Sequence, residues 1–233
     1  MNINLAAMRG KVRIAIDEIA GASVSSDFTE NLNTEINQAI RHAVLQLCDE
    51  LPDDFLMPKE VPVADVVQYH GSGSADDGTG EVALPLDFLR LVKFKLASWD
   101  QSVRELLDPL SDEAKMQASK WTRGNPQKPK AMLGGSKLVD GDNNTSAVHR
   151  LMEYYTAGKT TSGGVSSYDH TVDCLFYIPM VEEGEGTLSA PLRDSCEPYI
   201  IYRAAGILME GKQHGDLADR FYKLSIINQT VKQ

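Results

Sequence analysis

The residues of this chain with chemical potential are five histidines, three cysteines, several acidic clusters and one Gly-Lys-Thr step. His42, His70, His149, His170 and His214 stand far apart in sequence, and no pair has the His-x-x-x-His spacing that sets two metal ligands on one helical face. His70 and His170 both fall in loops rich in Gly, Ser and Asp; they could meet in space, but nothing in their spacing requires it. Cys48, Cys174 and Cys196 are odd in number and form no Cys-x-x-Cys pair, so they read as buried thiols rather than a disulfide frame or a zinc site. Asp49-Glu50 with Asp53-Asp54, Asp76-Asp77, and Glu182-Glu183 with Glu185 are acidic enough to hold calcium or do acid and base work. The alternating ligands of an EF-hand are missing, however, and such runs at helix ends and turn tips are ordinarily solvated.

Gly158-Lys159-Thr160 has the look of the end of a phosphate-binding loop, but Glu153 stands where the first glycine belongs. No helix follows to aim backbone N–H groups at a phosphate, so the step reads as a hairpin turn. Ser72 and Ser74 lie among glycines without forming a Gly-x-Ser-x-Gly elbow. The expectation is a chain that is not an enzyme, with no catalytic, cofactor-binding or metal-binding residue and no cofactor.

The elements that would position these residues follow from periodicity. Leu5, Met8, Val12, Ile16 and Ile19 recur at helical spacing up to Gly21. A second helix, capped by Asp27 or Thr29, carries Leu32, Ile36, Ile40, Ala43, Val44 and Leu47 on one stripe and ends at Pro52. From about Pro58 the texture changes to short β-like runs. Val61–Gln68 and Gly80–Leu84 bracket a Gly-rich tip at residues 70–80, too permissive to hold one shape alone. Leu91–Trp99 alternates, with Val92, Phe94 and Leu96 on one face and Lys93 and Lys95 on the other. A short helix near 111–120 is capped by Ser111, and Ala131–Leu133, Arg150–Thr156 and Cys174–Pro179 supply further strands. After Gly184 and Gly186 the helical period returns through Leu192, Cys196, Tyr199, Ile200, Ala204, Ile207 and Leu208, and Gly215 divides it from a last helix with Leu217, Phe221, Leu224 and Val231. The predicted class is α+β: a helical bundle built discontinuously from residues 1–57 and 187–233, with a β-rich antiparallel insertion at 58–186.

The 233 residues carry 23 Lys+Arg against 33 Asp+Glu, a net charge of −10, which argues against clamping nucleic acid by neutralising phosphates. The richest apolar stretch, Tyr199–Met209, is broken by Arg203 and Gly206 and is too short to span a bilayer, so no membrane association is expected. The first residues, Met-Asn-Ile-Asn-Leu-Ala-Ala-Met-Arg, lack the order of a secretory signal, so synthesis in a cytoplasm is expected.

Four stretches then carry a resemblance: Leu84-Pro-Leu-Asp-Phe-Leu-Arg-Leu-Val-Lys-Phe-Lys-Leu-Ala-Ser-Trp99, Lys120-Trp-Thr-Arg-Gly-Asn-Pro-Gln-Lys-Pro129, Leu151-Met-Glu-Tyr-Tyr155, and Pro198-Tyr-Ile-Ile-Tyr-Arg-Ala-Ala-Gly-Ile-Leu-Met-Glu210. In this order they resemble head-to-tail connector proteins of bacteriophages, the ring or adaptor proteins of crAss-like phages and, more remotely, the tail tubular adaptors of short-tailed phages. The motifs are structural phrases and transfer no single functional residue. The resemblance implies a structural virion protein of the phage neck, made in the host bacterial cytoplasm and forming a homo-oligomeric ring, commonly twelve-fold. Its partners would be the portal protein and a neighbouring ring or tail protein, with genomic DNA passing through the lumen without specific binding. Long Gly-rich tips at 70–80 and 158–168 would then order by adding edge strands to a neighbour. Two other readings remain: another phage tail or tail-completion protein, and a metal-dependent hydrolase using the acidic clusters and the loop histidines.

Overall fold

In the computed structural model the described residues are 1–20, 32–72, 75–119, 121–140, 146–162 and 165–226. The apolar stripes read from sequence become helices α1 (Leu5–Ala20) and α2 (Leu32–Glu50), and Leu5, Met8, Val12 and Ile16 of α1 are buried together with the whole expected stripe of α2. The caps expected at Asp27 or Thr29 and the break at Gly21 lie outside the described residues. A strand that periodicity did not suggest, β1 (Asn2–Asn4), precedes α1.

The chain divides into two compact units, Met1–Met57 with Met180–Gln233, and Pro58–Pro179. In the first, α4 (Glu197–Gly211) packs against α1, α2 and α5 (Gly215–Leu224). Helix α4 starts five residues after Leu192, behind a 3-10 turn at Asp194–Cys196 and with Pro198 in its first turn; ahead of it β11 (Glu182–Gly184) and β12 (Thr187–Ser189) form a hairpin, and β1 adds to it on the far side of β12. This hairpin belongs with the terminal segments, not with the β-rich region that was expected to run to 186. Gly215 is the first residue of α5 rather than the break; the chain turns at Gln213, which takes a left-handed φ of 63°. Of the stripe expected on α5, Phe221 is buried and Leu224 is exposed, while Val231 lies outside the described residues.

The second unit holds the remaining strands. One sheet has the order β2–β10–β5 (Lys59–Glu60, Val172–Pro179, Phe88–Leu96) and another β3–β4–β7–β6 (Gln68–His70, Gly80–Ala83, Ser146–Tyr155, Lys130–Asp140), both antiparallel. Strands β8 (Gly158–Ser162) and β9 (Val165–Asp169) pair with each other as a separate hairpin. Side chains from both larger sheets fill one core, with Val82, Phe94, Leu96, Met152, Tyr154, Leu175 and Tyr177 essentially without solvent contact. The α+β class therefore holds, and the short helix expected near 111–120 stands inside the β-rich unit as α3 (Asp112–Gln117), capped by the Ser111 hydroxyl accepting from the Ala114 N–H at 3.1 Å.

Two strand expectations are corrected. Val61–Gln68 is not a strand, because Pro62 has no N–H to give a ladder and the chain makes a 3-10 turn at Val63–Asp65 instead. In β5 the buried residues are Phe88, Leu91, Phe94 and Leu96, with Val92 only half-buried. An irregularity opposite Phe176 and Tyr177 inserts one residue and shifts the in–out parity of the strand.

The first sheet is clamped by a polar group at its edge. Asp87 accepts from the Tyr177 hydroxyl at 2.8 Å and from the Lys59 ammonium at 3.0 Å, joining β10 and β2 to the turn before β5. Burial alone would raise the Asp87 carboxyl, but the Tyr177 hydroxyl and Lys59 outweigh it and hold it below the usual carboxylate value. A carboxyl depressed on folding contributes stability above its unfolded value of about 3.9, and that contribution is lost as pH falls through the folded value. Asp87→Asn is expected to lower the melting temperature at pH 7 and to shrink the further loss of stability below about pH 4. Thermal melts across this range check it, and an acid limb as steep as that of the parent chain would contradict the clamp.

Candidate functional site

Strand pairing brings together two of the five histidines. His70 ends β3, and β3 lies beside β4; β4 pairs with β7, setting Gly80 directly opposite Tyr154. His170 sits in the turn between β9 and β10, where the Gln68 side-chain amide donates to its backbone carbonyl at 3.0 Å. The imidazole rings of His70 and His170 stack face to face, with centroids 4.1 Å apart and planes 5° from parallel.

A chain of hydrogen bonds runs through His170. Its Nδ1 lies 2.7 Å from the Tyr154 hydroxyl, and its Nε2 lies 3.1 and 3.2 Å from the two carboxylate oxygens of Asp76. The His170 side chain is 5% exposed and that of Asp76 11%, so this chain is almost wholly removed from water. Asp76 also accepts from the Gly78 N–H at 2.9 Å, which fixes the loop that presents it. Tyr154 has no solvent contact and packs edge-on to Trp99 and tilted against Phe94. Burial, with the Asp76 charge acting the same way, pushes its phenol well above the usual tyrosine value, so the hydroxyl stays neutral. One ligand atom from each of His70, Asp76 and His170 lies within 4.8 Å of the others, close enough together for the three to hold a metal ion.

Asp77, next in the chain, turns the other way. It accepts from the Thr79 hydroxyl at 2.6 Å and from Arg123 at 3.1 Å, and the Thr79 hydroxyl above all holds its carboxyl below the usual value against the effect of burial. Arg123, itself 8% exposed, comes from the Lys120–Pro129 stretch and faces a cleft of about 440 Å³ lined also by Tyr69, His70, Glu81 and Glu153. The 70–80 tip is thus held by bonds within its own chain rather than waiting for a neighbour, although Gly73 and Ser74 lie outside the described residues.

The other residues singled out from the sequence do not join this group. His42 is exposed on α2, and the Nδ1–H of His149 donates to the Leu84 carbonyl at 2.8 Å. His214 immediately precedes α5 without capping it through its side chain. Gly158, Lys159 and Thr160 open strand β8 rather than forming a turn, and the Lys159 ammonium sits 5.1 Å above the Tyr168 ring. Glu50 takes a two-pronged bond from Arg203, and Glu183 pairs with Arg41. Cys48, Cys174 and Cys196 are all buried, and burial raises the Cys196 thiol above its ordinary value. Among the described residues no helix is long and apolar enough to cross a membrane.

The sequence spacing missed the His70–His170 pair, because strand pairing sets His70 beside Tyr154 and side-chain bonds from Gln68 and Tyr154 hold His170 there, with no helix face involved. The signal was Gly80. A glycine inside a strand marks the close approach of another group, and a methyl there would fall against the Tyr154 hydroxyl.

The chain matches no protein-family model, and no curated protein matches it.

Gly80→Ala is expected to push the Tyr154 ring away from His170 and to cost about 1–3 kcal/mol, the range for overfilling a packed site. Chemical denaturation measures the loss, and a variant as stable as the parent would contradict the close packing of this pair.

Proposed function

We propose that the chain is a structural subunit of a phage neck ring, joining the portal to the tail around the DNA exit channel. Three features support the reading. The four stretches that resemble connector proteins occur in order from Leu84 to Glu210. The sequence carries no Gly-x-Ser-x-Gly elbow, EF-hand loop or complete phosphate-binding loop. The observation that carries most weight is the outer half of the β6–β7 ribbon.

Beyond Gly134 and Gly135, where the register is interrupted, β6 and β7 form a ladder only with each other among the described residues; β4 pairs as far as Leu151, and past it the Leu84 N–H donates to the Arg150 carbonyl at 2.9 Å. A two-stranded ribbon is marginal in water on its own. This one also presents the cross-strand pair Leu138 and Val148, 59% and 63% exposed, side by side. Exposed apolar pairs on a two-stranded ribbon are the chemistry of a strand that docks on a neighbour. The β8–β9 hairpin offers a second such arm, and the exposed indole of Trp121 a third contact.

In a ring each subunit needs two different faces that meet head to tail. The terminal helices, gathered as a bundle, form the body of the subunit, and the ribbon of the β-rich unit reaches the next copy, commonly in twelve-fold closure. Portal and tail or neighbouring ring proteins lie above and below. With a net charge of −10 per chain, repeated subunits surround the DNA with negative potential, so the genome slides past without being held.

Leu138→Asp combined with Val148→Asp places two charges where the neighbour docks and leaves the core untouched. The double variant is expected to keep the circular dichroism and melting temperature of the parent while losing ring formation, read by native mass measurement at assembling concentrations or on portal-bearing particles. Rings that form equally well from the double variant would contradict the docking role of the ribbon.

A further inference from the structure

We propose that His70, Asp76 and His170 bind one divalent transition-metal ion of the zinc class, which pins the end of β3 and the Asp76–Gly78 turn to the turn before β10. The site lies within one chain and does not depend on the ring reading.

The donor set suits such an ion. Two imidazoles and one carboxylate favour zinc and its neighbours over magnesium or calcium, which prefer all-oxygen shells. A tetrahedral ion with ligands at about 2.0–2.1 Å holds its donor atoms about 3.3 Å apart. The His170 Nε2 and the Asp76 oxygens are already 3.1 and 3.2 Å apart, close to the length of such an edge. The overall spread of 4.8 Å is closed by His70, the exposed member, which turns out of its stack on His170 to aim at the ion.

The tautomers are prepared by the groups around them. The Nδ1–H of His70 donates to the Gly71 carbonyl at 2.8 Å, which leaves the lone pair on Nε2. His170 Nε2 faces a carboxylate, and two acceptors in contact require a cation between them, either a proton or a metal ion. With the proton, Nε2–H donates to Asp76 and the Tyr154 hydroxyl donates to Nδ1. With the metal, the ion takes the Nε2 lone pair, the proton moves to Nδ1, and the Tyr154 hydroxyl turns from donor to acceptor. No proton is gained or lost overall. Tyr154 then does what outer partners of metal-bound histidines do, holding the ring and its tautomer. The three protein ligands leave a fourth position for water on the side of the exposed His70.

The test is isothermal titration of the full-length, untagged, chelator-treated chain with zinc chloride, supported by the visible absorption of the cobalt(II) form. One equivalent is expected, with a tetrahedral cobalt spectrum and a melting temperature that rises with zinc and falls back with EDTA. His70→Ala removes an exposed ligand and Asp76→Asn keeps the acceptor for Gly78, so both are expected to fold. Each is expected to weaken zinc binding at least 10-fold, the lower end of what even an outer-partner change costs. A parent chain that takes up no zinc would overturn the proposal by showing that a proton alone joins His170 to Asp76. Zinc binding undiminished in the His70→Ala, Asp76→Asn double variant would overturn it by placing the ion elsewhere.

Discussion

The buried hydroxyl of Tyr154 sets the terms for the β-rich unit. The ring is needed in the core, where it meets Phe94 and Trp99, yet its oxygen cannot reach water and must be paired inside. His170 provides the partner, and this creates a second obligation, because a buried imidazole has another nitrogen to satisfy. Asp76 meets that one and in turn needs the Gly78 N–H to hold its loop. Each polar group is tolerable in the interior only because the next is present. One apolar packing requirement therefore fixes the β3–β4 loop and the turn before β10.

Away from this chain of bonds the unit is built differently. Near Tyr154, strand β7 has β4 on one side and β6 on the other, and its inward side chains are buried. Past the glycine pair at 134 and 135 the same two strands continue without a third strand in their ladder among the described residues, and Leu138 and Val148 face outward. Such a gradient suits a subunit that is rigid where it supports itself and adhesive where it meets a copy of itself. Under the ring reading, the energy of assembly is concentrated in the ribbon and the acidic surface is left to face the DNA.

Much of this organisation was legible in the residues. The stripes of α1 and α2 are long and strongly periodic, and helices of that kind declare themselves because burial of one face dominates every competing preference. The short helix after Ser111 was legible through its cap. Local rules failed where pairing between distant strands decided the outcome. Val92 lost its place on the buried face to a register irregularity that only the partner strand imposes. The β11–β12 hairpin was hidden because three-residue strands bury too little to leave a pattern. His70 is set beside Tyr154 by the β3–β4–β7 ladders, and Gln68 and the Tyr154 hydroxyl bond to His170, and no local spacing records that.

The ring itself is tested most directly by electron microscopy of the purified chain at high concentration and of particles that contain it. The account expects a closed ring with a central hole, with the β6–β7 ribbon of each subunit lying against the next copy. The chain found in those particles outside any closed ring, or in a ring whose subunits meet without the ribbon, would contradict it.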